Sequence, residues 1–146
     1  MKNLTKIAAA SMTMIASFSF AQKTHEKAET KIPQPILTAF HKEYANVKKV
    51  DWNEEDGNYE AEFNLNKTEL TVTYNAKGEK LEVEKEIKST QLPAAAHQYI
   101  TKHKSGAINE ASKIEKTNGE TIYEAEVKGQ ELYFDASGKF LHSKKS

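Results

Sequence analysis

The most informative pattern in this chain is an alternation of apolar and polar residues that occurs twice. Residues 59–63 read YEAEF, and residues 123–127 read YEAEV. Successive side chains of a strand point to opposite faces of a sheet, so the tyrosine, alanine and final apolar positions share one face and the glutamates share the other. A related turn sequence follows each segment, YNAKG at 74–78 and FDASG at 134–138. The chain is therefore predicted to contain two copies of one β-rich unit.

The spacing of apolar residues also predicts the strand register of the first unit. A two-residue turn at 66–67 places apolar residues opposite one another: Tyr59 with Tyr74, Ala61 with Val72 and Phe63 with Leu70. A second turn at 77–78 would pair Val72 with Val83 and Tyr74 with Leu81. A shift of one residue would move every apolar side chain to the other face, so this register is favoured. The opposite, open face then carries Glu60, Thr73 and Glu82 in one row, and Glu62, Thr71 and Glu84 in the next.

A helical pattern precedes the strands of each unit. Pro33 and Pro35 begin the first helix, and Pro93 begins the second. The apolar stripes are Ile36, Leu37, Phe40 and Tyr44 in one helix and Ala96, Tyr99 and Ile100 in the other. A short strand follows each helix, marked by Val47, Val50 and Trp52 and by Ile108, Ala111 and Ile114.

These elements predict the fold class and the domain organisation. Each unit consists of a helix, a short strand and a three-stranded meander, and one unit alone would bury too little apolar area for comfortable stability. We therefore predict an α+β fold in which two tandem repeats, 32–87 and 88–146, form one globular domain, 32–146. The repeats would share an antiparallel sheet of roughly eight strands, with both helices on one face and a single hydrophobic core beneath them.

The first residues have the pattern of a targeting segment. Lys2 and Lys6 precede an apolar run at 7–20, and small residues at Ser19 and Ala21 suit a signal peptidase. A transmembrane anchor is the alternative, but the run falls short of the ~20 residues that span a bilayer. We expect residues 1–21 to be a signal peptide and residues 22–31, which are polar, to be a flexible leader. Cleavage would leave a formal charge of −2.

Composition excludes several classes of protein. All 21 basic residues are lysine and balance 21 acidic residues, which argues against a nucleic-acid-binding protein. The absence of cysteine excludes disulfides, thiolate metal ligands and a lipid anchor at the cleavage site. These features predict a periplasmic or secreted monomer with no membrane span after cleavage.

The repeated motifs resemble those of a known family. The motif VDW at 50–52, the two YEAE segments, the two Gly-ended turns and LP at 92–93 are similar to the beta-lactamase-inhibitor-like, PepSY-like proteins of Bacteroidota, over residues 32–142. The resemblance implies a periplasmic or secreted, non-enzymatic binding module without a cofactor. Inhibitors of that architecture bind through a concave sheet face rich in aromatic residues. The glutamates on the first unit's open face depart from that pattern and argue against binding to a lactamase.

Large side chains on the second unit's open face are candidates for partner binding. By strand parity these are Ile122, Tyr133 opposite His142, and Phe140 opposite Asp135. The alternative is that strand twist, the leader or the C-terminal tail covers them. Trp52 is a further candidate for a recognition anchor, although its shared parity with Val50 favours a role in the core.

No catalytic, cofactor-binding or metal-binding residues are predicted. Six glutamates on the open face could attract Ca²⁺, namely Glu60, Glu62, Glu82, Glu84, Glu124 and Glu126. However, no Asp-rich loop supplies the dense cage of oxygen ligands that such sites use, so a solvated face is favoured. The chain has no Gly-x-Ser-x-Gly elbow or phosphate loop, and His97 and His103 do not share a helix face. We therefore expect a non-enzymatic module that engages a protein or peptide through the open face or edge of its sheet. The alternatives are a periplasmic inhibitor or regulator of a peptidase or beta-lactamase, and an envelope protein that binds a metal or small ligand.

Overall fold

The computed structural model describes residues 31–103 and 106–145. The predicted signal peptide, 1–21, and leader residues 22–30 lie outside these ranges. The first unit comprises helix α1 (Gln34–Glu43) and strands β1 (Asp51–Glu55), β2 (Asn58–Leu65), β3 (Thr68–Asn75) and β4 (Lys80–Glu86). A 3-10 turn at Ser89–Gln91 leads to helix α2 (Ala94–His103) and strands β5 (Glu110–Lys116), β6 (Thr121–Glu126), β7 (Gln130–Asp135) and β8 (Phe140–Lys145).

The strands form one antiparallel sheet in which the spatial order is the sequence order, from β1 to β8. Every neighbouring pair is antiparallel, including β4 and β5, which join the two units. The predicted α+β fold, with two repeats, eight strands and two helices, is therefore confirmed. Neither helix in the described part of the chain combines the length and apolar character needed to cross a membrane.

The predicted register of the first hairpin is confirmed pair by pair. Ala61 lies opposite Val72 and Phe63 opposite Leu70, and both open-face rows form as expected. The pairing of Tyr74 with Leu81 is wrong, because Tyr74 lies opposite Lys80. The cause is the turn that follows β3: Asn75 N–H donates to the Glu79 carbonyl over 3.0 Å, and Gly78 has a φ of +82°. This turn has three loop residues rather than two, and a bulge between Thr73 and Tyr74 restores the predicted register for the rest of β4.

The same turn geometry corrects the predicted position of Phe140. Asp135 N–H donates to the Lys139 carbonyl over 3.0 Å, and the register shifts between Tyr133 and Phe134. Phe140 consequently lies opposite Phe134 on the helix-covered face, and its ring stacks on Tyr99 with centroids 4.4 Å apart. The placement of Phe140 on the open face is therefore wrong. Leu141, which follows Phe140 beside the bulge, is 43% exposed.

The buried side chains form two clusters, one beneath each helix. The first contains Ile36, Phe40, Ala61, Phe63, Val72 and Tyr74, and the second contains Leu92, Ala96, Ile100, Ala111, Ala125, Val127, Leu132 and Phe134. The expectation of a single shared core is wrong. The clusters are separated where β4 meets β5, since Lys85, Lys113 and Glu115 take helix-facing positions there. Lys113 and Glu115 form an ion pair of 2.6 Å, which keeps solvated charge between the two helices.

Each helix begins directly against the glycine of its unit's second hairpin turn. A Cβ atom at Gly78 would lie 2.7 Å from the carbonyl oxygen of Pro35. A Cβ at Gly138 would lie 2.7 Å from the Cβ of Pro93 and 2.8 Å from the Ala96 nitrogen. Only glycine permits such an approach between backbone segments. With both helices docked in this way, no helix of residues 31–103 and 106–145 covers the other face of the sheet.

Candidate functional site

The open face of the sheet is concave. Strands β1 and β8 form opposite edges of the sheet, yet the Lys144 Nζ lies 2.6 Å from the Glu55 Oε1. The right-handed twist of a sheet raises two diagonal corners towards the same side, and Glu55 and Lys144 lie at two such corners. The sheet therefore curls around its open face and encloses a cleft of about 450 Å³.

Carboxyl groups dominate the walls of this cleft. Eight of them line it, together with a single lysine: Glu55, Asp56, Glu60, Glu62, Glu82, Glu84, Glu124, Glu131 and Lys144. Thr71, Thr73 and Tyr133 supply hydroxyl groups between them. A smaller cleft of about 180 Å³ shares Glu62 and Glu84 and extends the acidic surface to Glu69, Glu86 and Glu110. The open face is thus acidic in both units, not only in the first.

The floor of the cleft is apolar and buried. Ile114 lines the cleft with an exposed fraction of only 5%, and its cross-strand partner Ile122, which lies beside the lining, is 7% exposed. Ile122 lies on the predicted face, but the curl of the sheet removes it from solvent. Sequence reasoning missed the role of Ile114, which points away from Ala111 to the open face. The alternation along β5 could have revealed it, because Ser112, Ile114 and Lys116 share one parity.

Two of the other predicted partner-binding residues come together at one wall. The rings of Tyr133 and His142 stack with centroids 4.6 Å apart. The Tyr133 hydroxyl donates to the Glu131 Oε2 over 2.9 Å, and Tyr133 lies opposite Glu124 across β6 and β7. Trp52, in contrast, faces α1 and meets Phe40 edge-on at 5.4 Å, so Trp52 and Phe140 both lie on the helix side. Sequence reasoning also missed Glu131 and Lys144, which share the strand parity of Tyr133 and His142; the curl of the sheet brings Lys144 to Glu55.

Burial and crowding raise the pKa values of several cleft carboxyls. Burial, with the charges of Glu84 and Glu131, raises the pKa of Glu124 to about 8. Burial also raises the pKa of Glu84, against a hydrogen bond from Ser112 that lowers it. Burial is also the main cause of the raised pKa of Glu60, and the negative charge of Glu55 raises that pKa further. The neighbouring negative charges that contribute to these shifts mean that a positive charge placed in the cleft would be favoured.

The cleft residues can bind cations, but they do not converge on a metal site. Across residues 31–103 and 106–145, histidine, aspartate and glutamate side chains form no group of three or more that could hold a metal ion. Side-by-side carboxylates on a sheet face are instead suited to ammonium and guanidinium groups, which donate hydrogen bonds in several directions. The floor of isoleucine and tyrosine side chains offers contact for the carbon chains that carry such groups.

The architecture defines a class: two repeated helix-and-meander units on one open antiparallel sheet, with one face covered and the other concave. The family described as "Putative beta-lactamase-inhibitor-like, PepSY-like" matches residues 20–73 and 57–142, and the chain belongs to this family. Together the two matched segments span both repeated units, which agrees with the resemblance inferred from the motifs.

Solved structures from Bacteroides share the fold. One, described as "putative periplasmic proteins" from Bacteroides eggerthii, has a TM-score of 0.68 at 16% identity and covers 79% of this chain and 89% of its own. A BLIP-like protein from Bacteroides fragilis has a TM-score of 0.56 at 24% identity and covers 81% of this chain and 89% of its own. At these identities the likeness shows a common fold. No curated protein matches this chain.

Proposed function

We propose that this chain is an exported, non-enzymatic binding module that holds an extended basic segment of a protein or peptide on the concave face of its sheet. The observation that carries the proposal is the cleft of about 450 Å³, in which eight carboxyl groups face one lysine. Its charge would attract a lysine-rich or arginine-rich partner and speed the encounter at low ionic strength.

The shape of the cleft supports an extended occupant. The sheet presents parallel rows of side chains, so a segment lying across the strands would meet a carboxyl group in β2, β4, β6 and β7 in turn. Its aliphatic side-chain stems would contact Ile114 and Tyr133 while its charged ends reach the glutamates. The inhibitor-like description of the family agrees with binding rather than catalysis.

The test uses fluorescent decapeptides of alternating lysine and threonine, or of alternating glutamate and threonine, in an anisotropy assay. We expect the basic peptide to bind, with an affinity that falls steeply with added salt, and the acidic peptide not to bind. The double variant Glu62→Gln/Glu82→Gln removes two cleft charges and should weaken binding at least tenfold. The matched control, Glu54→Gln/Glu79→Gln, removes two exposed charges that do not line the cleft. Equal binding by both variants would refute the proposal.

A second candidate function is the regulation of a hydrolase. It is favoured by the shared fold with the BLIP-like protein, although the acidic face differs from an aromatic inhibitor surface. Assays of periplasmic peptidases and a class A beta-lactamase with micromolar added protein test this alternative. Inhibition that the Glu62→Gln/Glu82→Gln variant abolishes would support it, and unchanged activity across the panel would count against it.

A further inference from the structure

We propose that the ion pair between Glu55 and Lys144 is a strap that holds the two repeated units in their curled arrangement, and that the sheet opens about the β4–β5 junction when this strap is released. The cleft lies between the units, so its width would depend on the ion pair. The inference goes beyond the proposed binding function and does not depend on it, because the strap and the opening concern this chain alone.

The strap joins the two edges of the sheet. Glu55 ends β1 of the first unit, Lys144 belongs to β8 of the second, and the Lys144 Nζ lies 2.6 Å from the Glu55 Oε1. The negative charges of Glu131 and Asp56 also act on Lys144 from the two sides of the cleft. The other ion pairs between described residues each lie within one unit: Glu43–Lys80, Lys113–Glu115 and Lys116–Glu120. Among the described residues, the Glu55–Lys144 contact is thus the ion pair that ties the units together.

Along β4 and β5 the units are joined by backbone hydrogen bonds rather than by a shared core. Five residue pairs connect these strands, and the N–H and the hydroxyl of Thr117 both donate to the Leu81 carbonyl, over 2.9 and 3.0 Å. Each buried apolar cluster lies within one unit, and the charges of Lys113 and Glu115 lie between the helices. Close-packed cores resist deformation, whereas the angle between neighbouring strands ranges from about 10° to 35° in natural sheets. The junction is therefore where the sheet can bend.

A small bend at this junction is enough to break the strap. Strand β1 lies three strand spacings, about 14 Å, from β4, and β8 lies equally far from β5. A bend of about 10° would move one edge by roughly 2.5 Å, which nearly doubles the 2.6 Å separation of the two charged atoms.

The charges of the cleft favour opening once the strap is released. Glu60 and Glu82 line the wall of the first unit, and Glu131 lines that of the second, so like charges face one another across the cleft. Lys144 opposes this repulsion while it remains at Glu55. Both side chains of the strap are about half exposed, at 49% and 56%, so the pair is weak. A cationic group that enters the cleft can therefore compete with Lys144 for the Glu55 carboxylate.

The test measures the distance between the two edges with spin labels. The chain has no cysteine, so labels can be attached at Glu54→Cys and Ser143→Cys alone. Both positions are exposed and adjoin the strap, but strand parity directs their side chains to the helix side. Electron paramagnetic resonance should show one short distance. Adding Lys144→Gln should move the distribution to longer values and broaden it, whereas Lys144→Arg should leave it unchanged.

A pair of labels within the first unit is the control. Glu54→Cys and Lys77→Cys are exposed positions on the same side of the junction. Their distance should be the same with and without Lys144→Gln. An edge-to-edge distribution that does not change in Lys144→Gln would overturn the proposal, because the sheet would then keep its curl without the strap. A change in the control pair would also overturn it, since the bend would not be confined to the junction.

Exchange of the two charges provides an independent check. Glu55→Lys places two lysines together and should lengthen the edge-to-edge distance, and Glu55→Lys/Lys144→Glu should restore it. If the exchanged pair leaves the distance long, attraction between these side chains does not hold the edges together and the strap is refuted. The urea midpoints should stay close to that of the wild type, because the pair is exposed. None of these measurements uses a peptide, so failure of peptide binding would bear on the proposed function alone.

Discussion

The substitution Gly138→Ala tests how helix α2 is attached to the sheet. Gly138 lies in the turn between β7 and β8 with a φ of +85°. A Cβ atom there would lie 2.7 Å from the Cβ of Pro93, 2.8 Å from the Ala96 nitrogen and 3.1 Å from the Cβ of Ala95. Two of these contacts are shorter than van der Waals packing allows; one is with Pro93, directly before α2, and the other is with Ala96 in the first turn of α2. Gly138→Ala must therefore push α2 away from the sheet.

The expected loss of stability has two parts. An alanine in the left-handed conformation costs about 1 kcal/mol relative to glycine. Forcing one extra carbon into a packed contact costs a further ~2 kcal/mol. The matched control is Gly119→Ala, because Gly119 has a φ of +88° in a turn with the same backbone hydrogen bonds, and no atom lies within 4 Å of its Cβ position. Gly119→Ala should lose only the stability that alanine costs in the left-handed conformation. The two variants should therefore differ in stability by about 2 kcal/mol.

Urea and thermal unfolding followed by far-UV circular dichroism measure this difference. A gap of about 2 kcal/mol corresponds to roughly 10 °C in Tm for a domain of this size. Destabilisation of equal size in Gly138→Ala and Gly119→Ala would refute the docking of α2 on this turn. It would also remove the argument that both helices are held on one face by the repeated turn.

Three further predictions concern pH, an ion pair and export. Because the pKa of Glu124 rises from 4.5 to about 8 on folding, stability should fall as pH rises through this window and level off above it. Glu124→Gln should recover about 2 kcal/mol at pH 8, after discounting for solvent screening, as judged by urea unfolding. Lys144→Gln breaks an exposed ion pair and should change stability by less than about 1 kcal/mol, while strengthening binding of the basic peptide in the anisotropy assay. Mass spectrometry of the exported protein should find Gln22 at its N-terminus; an intact Met1 would exclude the predicted cleavage.

Much of the sheet could be predicted because its apolar residues have only one consistent register. The pairs across β2 and β3 follow from a two-residue turn at Asn66 and Lys67, both of which adopt positive φ. The wrong strand pairings lie next to the turns that follow β3 and β7, which are of a different type. An Asn or Asp followed by Gly three positions later forms a three-residue loop with a bulge, in which the Asn75 or Asp135 side chain accepts from the backbone. Reading that turn as two residues long moved Phe140 to the wrong face.

The cleft was harder to predict because curvature is a property of the whole sheet. Strand parity assigns Glu60, Ile122 and Tyr133 to the open face, but it does not show that opposite corners of the sheet approach each other. The Glu55–Lys144 contact spans 89 residues and depends on the accumulated twist of eight strands. The same accumulation buries Ile122 and raises the pKa of Glu124. A local pattern contains no information about either effect.

The duplication supplies an internal comparison for the role of Tyr133. Glu60 and Glu124 occupy the same position in the two YEAE segments and point to the same face. Glu60 lies between Asn53 and Thr73, whereas Glu124 lies between Ser112 and Tyr133. The exchange of a threonine for a tyrosine places an aromatic ring opposite Glu124 and adds to its burial. Tyr133→Thr should therefore bring the titration of Glu124 towards that of Glu60, and the reciprocal Thr73→Tyr should raise the pKa of Glu60 further.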